Sequence, residues 1–331
     1  MGNKKIKFHF DDTFKTEMQL NQSKNDFSLQ EFFNKHNIFM NDKELEGLAE
    51  RTLKEHLVNL DYFKRYITKN IQSDLNCIET DTHIFKSYLY YMIHEKKYSP
   101  FTVNIRIRTI KCYLRWLYKN SYIKENITMK LKLVKTPEDT IKPLTDIEVK
   151  KILRSCDIST YAGFRDYAAM LIILDCGIRV GEMVRLLISD VDLKEGFITV
   201  RADVSKTRTV RYLPISKKTC KLLKELIECA IENNSEYLFQ STYGGNIKKQ
   251  NLILSFRRVG EKAGLVKRCT PYVFRHTFAT NAVKNGVMDL FTLQRIMGHA
   301  SLTTTRKYIQ LETTDLKKKH DKASPIDRYF K

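Results

Sequence analysis

Apolar and polar positions alternate with a helical period over much of the chain. In "RTLKEHLVNLDYFKRYI" the residues Leu53, Leu57, Leu60, Phe63 and Ile67 recur every three or four positions, which predicts a helix with one buried face. A second helix is predicted in "DTHIFKSYLYYMIHEKK", and a third after "YSPFT". The third carries an apolar stripe, Val103, Ile107, Ile110, Leu114 and Leu117. Beside it Asn104, Arg108, Lys111 and Arg115 fall at about one residue per turn on a neighbouring face. Such a helix can pack on its sisters and grip a phosphate backbone, so these four residues are DNA-binding candidates. The plainer reading is a solvated basic face. Residues 1–45 are polar, mixed in charge and without a clear period, and are expected to form an N-terminal extension, mobile or carrying a small extra element.

The pattern breaks over "LKLVKTPEDTIKPLT", residues 131–145, which has two prolines and no period and reads as a linker. "TDIEVKKIL" then opens a new helix, with Thr145 and Glu148 spaced as a capping box. Only one stretch shows β-type sequence. "GFITVRADVSKTRTVRYLPI" holds two runs rich in β-branched residues, Phe197–Arg201 and Thr209–Leu213, and predicts a hairpin with Lys206 at or near its turn. The expected fold is therefore mainly α, in two domains. An all-helical bundle over 46–130 is followed by the linker and by a mostly helical domain with a small antiparallel sheet over 146–331, including a C-terminal tail.

Composition narrows the function. The 331 residues suffice for two domains, and 42% hydrophobic with 29% charged residues is ordinary for a soluble globular protein. The net charge of +20 is not that of a typical small-molecule enzyme. It points first to nucleic acid and second to an anionic membrane surface. No apolar run approaches the roughly 18 residues of a membrane span, and the N-terminus lacks a secretory h-region. Ile6 stands where a myristoylation signal needs Ser or Thr. The seven cysteines are scattered with no C-x-x-C pair, which argues against a disulfide framework or zinc site and for thiols in a reducing cytoplasm. No metal or cofactor is expected.

Three further strings could carry chemistry. In "CGIRVGEMVRL" Arg179 follows a helix end at Gly177, with Glu182 three residues on. In "TPYVFRHTFAT" Pro271 suits a first helical turn, which places Tyr272, Arg275 and Ala279 on one face, and His276 is expected to point elsewhere. In "MGHASLTTTRKYIQL" Gly298 and His299 close a helix, Ser301 can cap the next, and Tyr308 lies about two turns into it. Taken singly, these are a surface arginine, an unremarked helix and a core aromatic.

Together, the order Arg179, Lys206, Arg275, His299, Tyr308 and the strings around them closely resemble the tyrosine recombinase (phage integrase) family, Xer-like members in particular, from about Leu53 to Lys322. The resemblance implies a site-specific DNA recombinase acting on double-stranded DNA. Tyr308 would be the nucleophile of a covalent 3′-phosphotyrosyl intermediate, which conserves the energy of the broken bond and needs no ATP. Arg179 and Arg275 would neutralise the transition state in place of a metal. Lys206 would be the general acid for the 5′ oxygen, His299 a hydrogen-bond partner, and Glu182 the acid that orients Arg179. The family usually has His where this chain has Tyr272, and a phenol can donate to a phosphate oxygen but is a poor base near neutral pH. The resemblance further implies a C-shaped clamp on DNA, a homotetramer on paired sites with room for a heteromeric recombinase partner, a tail that docks on a neighbouring protomer, and a cytoplasmic, nucleoid-associated location. Its role would be integration and excision or dimer resolution. A type IB topoisomerase and a non-catalytic DNA-binding regulator are the alternative readings.

Overall fold

The computed structural model describes residues 27–71, 74–75, 80–136, 141–284, 288–306, 308 and 320. The chain divides into two compact units, Met1–Glu138 and Asp139–Lys331. No described helix is long and apolar enough to cross a membrane.

The N-terminal unit is a bundle of α1 (Leu29–Leu45), α2 (Glu50–Asn70), α3 (Thr82–Tyr90, continued by a π-helical turn Tyr91–Glu95) and α4 (Pro100–Lys119). Helix α1 falls in the segment expected to be an extension or a small extra element, and it packs into the bundle. Ser28 and Glu31 cap its start reciprocally, and Leu29, Phe32, His36 and Phe39 are buried. The Phe32 ring lies 4.8 Å from Tyr113 and 5.8 Å from Phe63, and the Tyr113 hydroxyl donates to the Phe32 carbonyl at 2.6 Å. The helix is hard to see in sequence because its buried stripe includes a histidine, while apolar Ile38 and Leu45 lie exposed on other faces.

Helix α2 also buries a different stripe from the one its leucines predict. His56, Asn59, Phe63, Tyr66 and Ile67 point inward, whereas Leu57 is exposed. The Asn59 amide is accommodated by donating to Thr109 Oγ1 at 3.1 Å. Helix α4 follows its apolar pattern: Val103, Ile107, Ile110, Leu114 and Leu117 are all buried. It starts at Pro100 behind a Ser99 cap, earlier than the sequence reading placed it. Trp116, on the same helix, is buried between the rings of Tyr113 and Tyr122 and donates Nε1–H to Asp42 Oδ2 at 2.8 Å.

In the C-terminal unit, α5 (Asp146–Arg154) opens with the expected Thr145–Glu148 box. The long α6 (Tyr161–Cys176) runs through the core and buries Ala168, Ala169, Met170, Ile172 and Ile173. It ends at Gly177 in the left-handed region, φ 64°, with the Phe278 ring filling the space a Cβ would need. The short α7 (Val180–Met183) follows. A three-stranded antiparallel sheet comes next: β1 (Val191–Asp192), β2 (Phe197–Val200) and β3 (Arg211–Pro214), in the order β1-β2-β3, with Ile198 opposite Leu213. The two predicted runs supply β2 and β3, but each strand is shifted or shortened, and residues 201–210 form a long connection rather than a tight turn. Helices α8 (Lys217–Glu232), α9 (Lys249–Lys262), α10 (Pro271–Lys284), α11 (Leu290–Met297) and α12 (Leu302–Arg306) follow.

The segment expected to be a linker is partly engaged at both of its ends. Leu131 is buried in the N-terminal core, and Leu144 belongs to the C-terminal core. Residues 137–140 lie outside the described residues.

Candidate active site

Gly177 ends α6 abruptly, and the chain turns into α7 with Arg179 at the joint. Glu182, one turn into α7, is almost fully buried. Its Oε1 accepts from Arg179 Nη1 at 3.0 Å, and its Oε2 accepts from the Arg179 backbone N–H at 3.1 Å and from Arg211 Nη2. Burial pushes the Glu182 carboxyl up, but the Arg211 guanidinium, and after it Arg179, outweighs burial and holds the group below its ordinary value. One carboxylate therefore serves two arginines.

The C-terminal end of α11 supplies the other acceptors. Helix ends leave backbone carbonyls without intrahelical partners and carry a partial negative charge. Here three successive carbonyls each accept from a different arginine: Ile296 from Arg211 Nε at 3.1 Å, Met297 from Arg275 Nη2 at 2.7 Å, and Gly298 from Arg179 Nη2 at 2.7 Å. Arg275 also donates to the Gly177 carbonyl. Gly298 has φ 60°, and a Cβ there would meet the Arg211 guanidinium at about 3 Å, so only glycine suits both the backbone and the packing. Three guanidiniums thus converge with one carboxylate among them. Arg275 is buried, and burial first and the Arg179 charge second push its guanidinium down to about 9. The arrangement has cationic charge to spare for an anion.

His299 follows this turn. Its Nε2 lies 3.1 Å from Arg275 Nη2, and its Nδ1 lies 3.0 Å from Thr305 Oγ1. A guanidinium can only donate, so Nε2 is the acceptor and the ring proton sits on Nδ1, bonded to Thr305. Burial, reinforced by Arg275, Arg179 and Arg211, pushes the imidazole down to about 4, in keeping with a neutral ring. Tyr308 is buried with Ala279, Leu293 and Met297. Its ring stacks on His299 at 6.2 Å between centroids and meets His276 at 5.1 Å. Burial raises its hydroxyl above the ordinary phenol value, Tyr272 adds to the rise, and Arg275 and Arg179 pull the other way. The phenol is therefore protonated at neutral pH. His276 corrects an expectation: it does not point away from the site but packs against Tyr308. Tyr272, by contrast, is 57% exposed.

Comparison with known proteins decides the family. The profile of the phage integrase family matches residues 142–314, and that of the phage integrase SAM-like domain matches residues 28–133. The chain belongs to the phage integrase family. Similar relatives are the tyrosine recombinase XerD of Listeria innocua, 27% identical over 82% of this chain and 92% of that protein, and the tyrosine recombinase XerC of Oceanobacillus iheyensis, 27% identical over 95% of each. Among solved structures, the Tn1549 transposon integrase in complex with a circular intermediate DNA superposes with a TM-score of 0.71, at 20% identity over 90% of this chain and 100% of that one. A lambda integrase tetramer bound to a Holliday junction gives 0.67, at 19% identity over 88% and 80%. These two likenesses concern the fold.

Of the residues expected in a phage integrase site, the structure brings Arg179, Glu182, Arg275, His299 and Tyr308 together. Lys206 lies exposed on the 201–210 connection, with no ion pair among the described residues. The four candidates on α4 separate into two pairs. Asn104 is buried and exchanges two hydrogen bonds with the Val134 backbone, at 2.8 and 2.9 Å, and Lys111 donates to the Leu131 carbonyl at 2.6 Å. Asn104 is thus committed to holding its own chain, a correction to its expected role, and Lys111 is engaged in the same way. Arg108 and Arg115 are exposed. Sequence reasoning missed Arg211. The C-terminal tail beyond Tyr308 lies outside the described residues, His320 excepted.

Proposed function

We propose that this tyrosine recombinase cuts and rejoins duplex DNA through Tyr308. The Tyr308 oxygen attacks the scissile phosphorus as its proton passes to solvent water, the bond from phosphorus to the 5′ oxygen breaks, and Lys206 donates the proton that oxygen needs and is reprotonated from solvent. The product is a 3′-phosphotyrosyl ester with a free 5′ hydroxyl, and the reverse reaction with a second 5′ hydroxyl rejoins the strand. Arg179 and Arg275 take the charge that gathers on the nonbridging oxygens. His299 holds the Arg275 guanidinium through its neutral imidazole, and Tyr272 offers a phenolic donor where most relatives are expected to have an imidazole. A scissile phosphate supplies the anion the buried guanidiniums lack, and the pull of Arg275 and Arg179 on the Tyr308 hydroxyl favours its ionisation as the bond to phosphorus forms.

The observation that carries this reading is the convergence of three arginines and one carboxylate at a helix end beside a buried tyrosine. Exposed Arg108 and Arg115 on α4 are proposed as phosphate contacts. The partners proposed are double-stranded DNA and three further copies of this chain on paired sites, or a heteromeric recombinase partner, and the location proposed is nucleoid-associated.

The test is a nicked suicide duplex built on the core site, itself recovered by sequencing DNA trapped covalently on the protein in cells. Wild-type protein is expected to form an adduct that resists denaturation, and Tyr308→Phe none. An equal adduct from the phenylalanine variant overturns the assignment of the nucleophile. Strand exchange between two sites separates recombination from simple relaxation, and truncation after Lys322 is expected to weaken assembly on paired sites.

A further inference from the structure

Arg211 opens strand β3 and belongs to none of the roles above. It is 8% exposed, and its guanidinium is spent on Glu182, the Ile296 carbonyl and Ser205. Burying an isolated guanidinium is costly unless each donor is met. Here Nη2 meets Glu182 Oε2, Nε meets the Ile296 carbonyl at 3.1 Å, and Nη1 reaches Ser205 Oγ at 3.4 Å. The first two partners bear directly on Arg179. Glu182 gives its other oxygen to Arg179 Nη1, and the carbonyl two residues beyond Ile296, that of Gly298, accepts from Arg179 Nη2. Both supports of the Arg179 side chain are therefore themselves held by Arg211. Gly298 leaves the space that lets the Arg211 guanidinium reach both.

Resting on the reaction proposed above, we infer that Arg211 is a positioning residue for cleavage. It fixes Glu182 and the end of α11, and through them it sets Arg179 against the scissile phosphate. It touches no reacting atom. Its fork geometry is essential to the role, because a lysine offers one ammonium and cannot span a carboxylate and a carbonyl in the same way. The 3.4 Å contact with Ser205 is the weakest of the three, so the effect runs through Arg179 rather than through neighbouring Lys206.

The test measures single-turnover cleavage of the suicide duplex by the full chain. Arg211→Met is expected to slow cleavage about 100-fold, the scale of losing a preorganised donor, while duplex affinity changes less than about 3-fold. Combined with Arg179→Lys, it is expected to add no more than about 3-fold to the worse single variant, because the two act as one unit. Combined with Lys206→Ala, the losses are expected to multiply. A duplex with sulfur replacing the bridging 5′ oxygen has a leaving group that needs no proton, so it is expected to restore cleavage by Lys206→Ala and not by Arg211→Met. Should removal of the fork unfold the unit, Arg211→Lys keeps the buried charge pair; it is expected to melt with wild type and still cleave about 10-fold slower.

Cleavage by Arg211→Lys at the wild-type rate, multiplication with Arg179→Lys, or rescue of Arg211→Met by sulfur each overturns the inference. A wild type that forms no adduct overturns the reaction itself. A wild type that cleaves normally beside unaffected Arg211 variants overturns only the role of Arg211.

Discussion

Arg106 in the N-terminal unit and Arg275 in the C-terminal unit are buried to nearly the same degree, 8% and 6% exposed. The chain handles them with different chemistry. Arg106 lies between two rings, its guanidinium carbon 3.7 Å from the Tyr62 centroid and 4.4 Å from that of Tyr98. Aromatic faces suit a cation that is to stay where it is. Arg275 is met by two backbone carbonyls and a neutral imidazole, with Arg179 close enough to disfavour its charge. These neutral acceptors satisfy its donors without cancelling its charge. The N-terminal unit buries rings and makes its arginine part of the packing, whereas the C-terminal unit buries a cation among neutral acceptors, the charge we propose a scissile phosphate meets.

The most severe way to break this contrast is at the clamp. Arg275→Met is expected to slow single-turnover cleavage by about 10³-fold, about 4 kcal/mol of barrier. An effect below tenfold would place Arg275 with Arg106 as a structural residue. Next comes the ring core: Phe63→Ala is expected to remove about 3 to 4 kcal/mol of stability in denaturant unfolding, because Phe63 packs on Phe32, Phe85 and Tyr88 and leaves a cavity among them.

A pH experiment probes the same core. Burial first, with the neighbouring His56 second, pushes His36 from an ordinary 6.5 down to about 4. The folded state then binds fewer protons than the unfolded chain between those values. This contribution is complete above pH 6.5 and is lost as pH falls toward 4, about 3 kcal/mol in all. His36→Leu is expected to flatten that part of the stability curve; an unchanged slope would show that His36 does not titrate this way. The smallest effect expected is that of Arg106→Met, about 1 to 2 kcal/mol of stability with no change in the cleavage rate of fully bound substrate.

The two units also differed in how well the sequence disclosed them. The site residues come from short strings whose local geometry is set by glycine and helix ends: Gly177 before Arg179, Gly298 before His299. Such signals survive in one dimension. Arg211 does not, because its partners stand far along the chain, at Glu182 and Ile296, and only folding places them around one guanidinium. His276 looked misplaced because adjacent helical residues diverge by about 100°, yet the Tyr308 ring is large enough to lie against the flank of α10 as well as against His299. In the N-terminal unit, α1 hid its period behind a buried histidine, and α2 buried Asn59 and exposed Leu57 because a hydrogen bond to Thr109 made the polar residue the better fit. Helix α4, whose inward face is wholly apolar, was legible throughout, but the polar positions beside it were not. Asn104 is drawn inward by the backbone of Val134, which no pattern of charge reveals.

Trp116 has a practical consequence. It is the only tryptophan in the chain, and it sits inside the ring cluster of the N-terminal unit with its indole N–H tied to Asp42. Selectively excited indole emission therefore reports on the packing of that unit's ring core. Emission followed beside far-ultraviolet circular dichroism separates the melting of the two units in the intact, unlabelled protein.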